Sequence, residues 1–212
     1  METVNDLIKA FREDVDDMVE DYLWSERMVL RFASGSLTAF AEKSMCIIDD
    51  GIEIDFSAGE DDVEFPGYII DVLDAEIEIG SKAWSIPVRS PGEFRRSQLP
   101  TRGKPALLLG DSSLGRMRIV PAPSAEGVLR LQAIRRPKAA VDKNTRLTDV
   151  PVQYREHLLL HMKHKAYSYP DAETFDAGKA DNFLAQFNYQ CQLAYEDSLR
   201  RRNGARRIRY PR

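Results

Sequence analysis

His157, His161 and His164 are all the histidines of this chain, and their spacing sets them on one face of a single helix, where imidazole nitrogens could converge on a metal. A zinc or iron site needs a third or fourth suitable ligand and hydrogen bonds that orient each one. Glu156-His157 also departs from the His-Glu-x-x-His order of a zinc peptidase. The stripe, flanked by Leu160 and Tyr167, is therefore read as polar surface or a subunit contact lying opposite the helix's apolar face, with no metal. Gly110-Asp111-Ser112-Ser113-Leu114-Gly115 has the glycine separation of a phosphate loop. It continues into Arg116-Met117 where such a loop needs Lys and then Ser or Thr, and it leads into a strand pattern, so a hairpin turn is predicted and no nucleotide. No Gly-x-Ser-x-Gly elbow is present, and carboxylates are too abundant early in the chain for any pair of them to mark acid–base catalysis. The chain is expected to be no enzyme and to use no cofactor.

The arginines are more telling. Leu199–Arg212 carries seven of them and no acid: Arg200, Arg201, Arg202, Arg206, Arg207, Arg209 and Arg212, with Tyr210 interleaved. Residues 1–80 hold 22 Asp and Glu against 5 Lys and Arg, while the other 132 hold 12 against 25. The net charge of -4 thus hides a strong internal division, suited to head-to-tail packing of copies or to docking one end on a charged partner. Arginine's planar fork is favoured where it meets carboxylates, phosphates or aromatic faces.

These residues must be positioned by a chain of 212 residues that is 43% hydrophobic and 30% charged, enough to bury a core without metals or disulfides. Cys46 and Cys191 have no zinc or disulfide spacing, which fits a reducing setting, and METVNDLIKAFREDVDD lacks the basic start and apolar stretch of a signal peptide. No membrane segment is expected. Thr3 and Asp6 mark a helix start, with Leu7, Ile8, Phe11 and Val15 at helical spacing to about Asp17. Ser25 caps a second helix carrying Leu30, Ala33, Leu37 and Phe40 on one face, with Trp24 as a staple. Its Ser34-Gly35-Ser36 centre points to a close approach by another element.

Residues 47–148 read as short β segments broken by Gly, Pro, Asp and Ser, forming a small antiparallel sheet. In the last of them Val128, Arg130, Gln132 and Ile134 share one face, and Leu129, Leu131 and Ala133 the other. A helix is predicted from Pro151 with Val152, Leu158, Leu159, Met162 and Ala166 on its apolar side. After the Tyr169-Pro170-Asp171 break a long helix runs to about Arg202, with Ala180, Phe183, Leu184, Phe187, Cys191, Ala194 and Tyr195 in a stripe. Gly204 is the expected stop. The fold class is α+β: a helical hairpin core with an inserted antiparallel β-rich domain and an extended basic C-terminal tail, divided as 1–46, 47–148, 149–203 and 204–212.

From Gly103 to Phe187 the order of features resembles the head-to-tail adaptor, or head-completion, proteins of tailed bacteriophages, especially the short-tailed ones. GKPALLLGDSSLGRMRIVPAPSAEGVLRLQAIRRP is similar to that family's hairpin strands with their Pro-Ala-Pro turn and Arg-Arg-Pro exit. TRLTDVPVQYREHLLLHMKHKAYSYPDAETFDAGKADNFLAQF is similar to its Asp-Val-Pro helix start, Ala-Tyr helix end and Asp-rich lead into a last long helix. FPGYIIDVLDAEI matches more loosely. The resemblance implies a ring of about twelve copies beneath the portal, extending the channel for genomic DNA toward the tail. The hairpin would form the wall, the β-rich part would face the tail or nozzle protein, and the C-terminal extension would reach the portal. It also implies a place in the virion, at the head–tail junction, after synthesis in the host cytoplasm. The arginines with Tyr210 are then the expected portal-binding residues. Two other readings stay open: a nucleic-acid-binding module acting through the arginine tail, and another ring-forming tail completion protein.

Overall fold

Thr3 begins the first helix as its spacing predicts: its hydroxyl accepts from the Asp6 amide at 3.2 Å while the Asp6 carboxylate accepts from the Thr3 amide at 3.0 Å. A second amide, that of Glu2, reaches the same carboxylate at 2.9 Å, and these backbone donors hold the Asp6 carboxyl below its usual range. The computed structural model describes residues 1–93, 101–113, 115–170 and 174–203. Among them the chain divides into two units: Met1–Ile47 with residues 136–203, and Ile48–Arg135.

The first unit is helical. Helix α1 (Val4–Asp14) ends three residues earlier than the periodicity predicts. Asp17 turns inward to a buried ion pair with Arg12, and Asp16 adopts a left-handed φ of 56° to make that turn. Helix α2 (Glu26–Ser44) starts on the Ser25 cap as expected. Trp24 is buried ahead of it, edge-on to Phe11 and Tyr167 at 5.8 and 6.3 Å.

The close approach predicted at Ser34-Gly35-Ser36 is real, but it belongs to Ser36. This side chain is fully buried and donates to the Leu158 carbonyl at 2.7 Å, whereas a Cβ on Gly35 would meet nothing within 4 Å. Leu158 opens helix α3 (Leu158–Tyr167), and α4 (Ala177–Asn203) follows with Asp176 accepting from the Lys179 amide at 2.9 Å. The helix expected from Pro151 is corrected: residues 152–154 form a single 3₁₀ turn and Val152 is 71% exposed. The turns continue through Arg155 with i→i+3 hydrogen bonds, Arg155 to Val152 and Leu158 to Arg155, so the chain enters α3 by tight turns and not as α-helix. The buried Arg155 guanidinium reaches the Val150 and Met1 carbonyls and Glu2. Phe11, Phe40, Leu147, Leu158, Met162 and Phe187 centre the core.

The second unit holds β1 (Ile48–Phe56), β2 (Asp62–Glu64), β3 (Ile69–Ile79), β4 (Lys82–Ile86), β5 (Val88–Arg89), β6 (Arg102–Gly103), β7 (Leu107–Ser113), β8 (Arg116–Val120), β9 (Ala122–Pro123) and β10 (Gly127–Arg135). One sheet runs β1-β10-β3-β4, wholly antiparallel; another runs β2-β8-β7-β5, with β5 parallel to β7. A short parallel pair, β6-β9, completes the set. Ile52, Ile77, Leu129 and Leu131 of the first sheet share a core with Leu108, Met117 and Ile119 of the second. The Gly110–Gly115 stretch continues β7 as far as Ser113, which pairs with Arg116 of β8, and Leu114 lies outside the described residues.

The alternation along β10 holds through Ala133, buried with Leu129 and Leu131 as expected, and fails at Ile134. The register against β3 shifts between Gln132 and Ala133, and Ile134 is buried and does not share the exposed face of Arg130. On that exposed face Arg130 lies 3.0 Å from Glu53 of β1 and 3.8 Å from Glu76 of β3, and it also pairs with Glu78. The hydrogen bond that Arg130 donates to Glu53 and the charge of Glu78 raise the Arg130 pKa.

Gly127 starts β10 where no side chain fits. A Cβ there would lie 2.2 Å from the Glu78 carbonyl oxygen and 2.7 Å from Phe56 Cζ. Gly127→Ala should destabilise the β unit by about 2–4 kcal/mol, because backbone must yield. Trp84 lies in this unit and Trp24 in the other, so urea unfolding followed by Trp84 fluorescence in a Trp24→Phe background isolates the shift.

Candidate docking site at the end of the long helix

One face of α4 is buried through Ala180, Phe187, Cys191, Ala194 and Ser198, and this carries the predicted stripe into the core. Phe183, Leu184 and Tyr195, at its edges, are half-buried. Burial pushes the Cys191 thiol up to about 12, as expected of an inert core cysteine, and raises that of Cys46 as well. The last turns are fixed from below. The Tyr154 hydroxyl donates to Asp197 at 2.8 Å, and burial followed by that carboxylate pushes the tyrosine up to about 12. The Ser198 hydroxyl reaches the Met45 carbonyl at 3.5 Å.

On this fixed end stand Arg200, Arg201 and Arg202, the last turn of the helix, where unsatisfied carbonyls favour cations. Arg200 is 76% exposed and touches Glu196 and Asp197 only at 3.7 Å, a weak surface pairing that leaves its donors open to a partner. Arg201 is exposed; Arg202 is half-buried, and its Nε has no hydrogen-bond partner among the described residues. Arg206, Arg207, Arg209, Tyr210 and Arg212, like Gly204, lie outside the described residues. What is placed is therefore a cationic helix end from which the rest of the arginine segment continues.

The histidines are placed otherwise than expected. His161 is 6% exposed, with its ring 4.9 Å from that of Phe187, so it does not lie opposite the apolar face. Helix α3 packs against α1, α2 and α4, and a helix so surrounded has little polar side on which to carry a stripe. The ring of His164 is turned to the Ala180 carbonyl at 3.0 Å, which makes its Nδ1–H a donor. His157, Leu160 and Tyr167 are half-buried, with Leu160 against the core and Tyr167 stacked on Phe183. Among the described residues no group of three His, Cys, Asp or Glu side chains is arranged to hold a metal. The sequence reading also missed an exposed apolar cluster, Met18, Val19, Tyr22 and Leu23, between α1 and α2. Its only signal was that apolar residues persist among acids after the periodicity of α1 has ended.

The fold is a helical unit that ends in a cationic helix turn, with a mainly antiparallel β unit inserted in its sequence. The chain belongs to the SU10 adaptor protein family, whose model matches residues 2–210, so the resemblance to phage head-to-tail adaptors is borne out. No curated protein matches it. The family is structural and is not an enzyme family; the protein is a structural adaptor of a bacteriophage virion. No helix of the described residues is long and apolar enough to cross a membrane.

Burial holds the His161 imidazole down at about 4, with Lys165 and His164 adding to the effect, so the fold accepts it only uncharged. Unfolded, it protonates near 6.5. Stability is therefore undiminished above pH 6.5 and falls between 6.5 and 4, as the unfolded chain binds a proton that the folded chain refuses. His161→Leu should remove as much as about 3 kcal/mol of this acid-side loss. Urea unfolding of both proteins across pH 4–7 measures the difference in slope.

Proposed function

We propose that the protein is the head-to-tail adaptor that forms a ring beneath the portal, extends the DNA channel and provides the attachment site for the tail. The observation that carries this reading is the concentration of arginine at one end of a chain whose opposite end is acidic, within a family of phage adaptors. Arg200, Arg201 and Arg202, continued by Arg206, Arg207, Arg209, Tyr210 and Arg212, dock on acidic or backbone acceptors of the portal. Each such charge-assisted contact is modest, and repetition around a ring of about twelve copies makes attachment firm. The fixed end of α4 supports this role, because anchoring by Tyr154 and Ser198 lowers the ordering cost of docking. Exposed acids of the β unit, among them Glu53, Asp55, Asp71 and Asp74, would repel phosphate wherever they face the channel and keep the genome from adhering.

Co-sedimentation with assembled portal rings of the same phage tests the proposal. Wild-type protein should saturate at about one copy per portal subunit. A chain lacking residues 204–212 should unfold at an unchanged urea midpoint and fail to sediment with the portal. Wild-type attachment by that truncated chain refutes the docking role of the tail. Absence of portal binding, with steep salt-dependent DNA retention by the monomer, points instead to a nucleic-acid module.

A further inference from the structure

The segment between α1 and α2 projects apolar side chains into solvent: Met18 is 56% exposed, Val19 78%, Tyr22 41% and Leu23 51%. It is nonetheless a built structure. The buried Arg12–Asp17 pair closes its base, the Asp17 carboxylate accepts from the Leu23 amide at 2.7 Å, and Arg12 donates to the Trp24 carbonyl at 3.1 Å. The Arg12 guanidinium also lies over the Tyr22 ring at 3.8 Å. Glu20 and Asp21, exposed at the tip, have no ion-pair partner among the described residues.

A second surface on the same unit carries the opposite chemistry. Arg27, Leu30, Arg31 and Ser34 follow one another along α2 at helical spacing and, with Met28 and Val141, line a cavity of about 390 Å³. Its floor is apolar. Arg27 and Arg31 are exposed, again with no ion-pair partner among the described residues, in a half of the chain where acids far outnumber bases.

We infer that this groove receives the 18–23 loop of a second copy of the chain, with Met18 and Val19 on Met28, Leu30 and Val141, and Glu20 and Asp21 against Arg27 and Arg31. Charge and apolarity match at once: a phosphate backbone could meet the two arginines but would leave both the apolar floor and the apolar loop uncovered. The two surfaces are unlike and every copy has both, so the contact is heterologous and repeats from copy to copy, as a ring requires. The inference rests on the ring reading above and names the contact between neighbouring subunits.

The test is a charge swap in the full-length chain, read as copies bound per portal ring and as release rate on dilution. Glu20→Lys/Asp21→Lys and Arg27→Glu/Arg31→Glu should each speed release about tenfold or more, and the chain carrying all four changes should return toward wild type. Wild-type rings from both reversals, or a fourfold variant no better than either pair, overturn the contact while leaving the ring reading intact. Failure of the wild-type chain to bind portal in multiple copies removes the ring reading, and this contact with it. If Arg27→Glu/Arg31→Glu instead removes only salt-dependent DNA retention, the groove is a nucleic-acid site and the inference is wrong.

Discussion

The helical unit is assembled from two stretches of chain separated by a whole β unit, and everything it presents depends on how those stretches are tied. Helices α1 and α2 come from one side of the insertion, α3 and α4 from the other. Several polar links stitch them together, and the buried ones leave few alternatives in register. The Ser36 hydroxyl binds the Leu158 carbonyl, the buried Arg155 guanidinium reaches Met1 and Glu2, and the Val4 and Leu147 amides donate to Thr145 and Glu2. Each satisfies a group whose burial without a partner would cost about 1–3 kcal/mol, so a misdocked half is penalised at several points at once. Apolar packing around α3 supplies most of the cohesion; these links decide where it settles.

Charge is handled differently at the two ends of this unit. At Arg12 and Asp17 an ion pair is taken out of water, which seldom adds net stability but is strongly unfavourable to break from one side. The result is a loop whose shape is imposed from beneath while its tip carries acids and aliphatic groups outward. At Arg200 and Arg201 the cations stay exposed, and Arg200 has only long contacts with Glu196 and Asp197 along its own helix. Buried charge thus shapes a surface, while exposed charge stays in water.

Much of this was legible in the chain itself. The Thr3 and Ser25 caps, the stripe along α4 and the β-rich character between the helices are local signals, and local signals survive into the fold. What the sequence misplaced was decided by tertiary contact. His161 looked polar because residue type was read without knowing that α3 is enclosed by three helices. Val152 looked like core because nothing local announces that the chain enters α3 through tight 3₁₀ turns, which carry it to the outside. The burial of Ile134 goes with an irregular pairing with β3, and pairing partners are not written in β10 alone. The cationic end was legible as composition, because seven arginines without an acid need no structure to be noticed. The loop at Met18–Leu23 was not, since exposed apolar residues look like core residues until a structure leaves them outside.

The insertion also sets an order of events during synthesis. The β unit is one unbroken stretch, Ile48–Arg135, so its pairings can be completed as soon as β10 has left the ribosome. The helical unit must wait, because α1 and α2 expose the sides meant for α3 and α4 until residues beyond Phe187 and Ala194 emerge. A nascent or prematurely ended chain therefore holds a finished β unit on an unfinished base and lacks the fixed helix end altogether. Loss of α4 therefore costs the helical unit its core while leaving every β pairing in place.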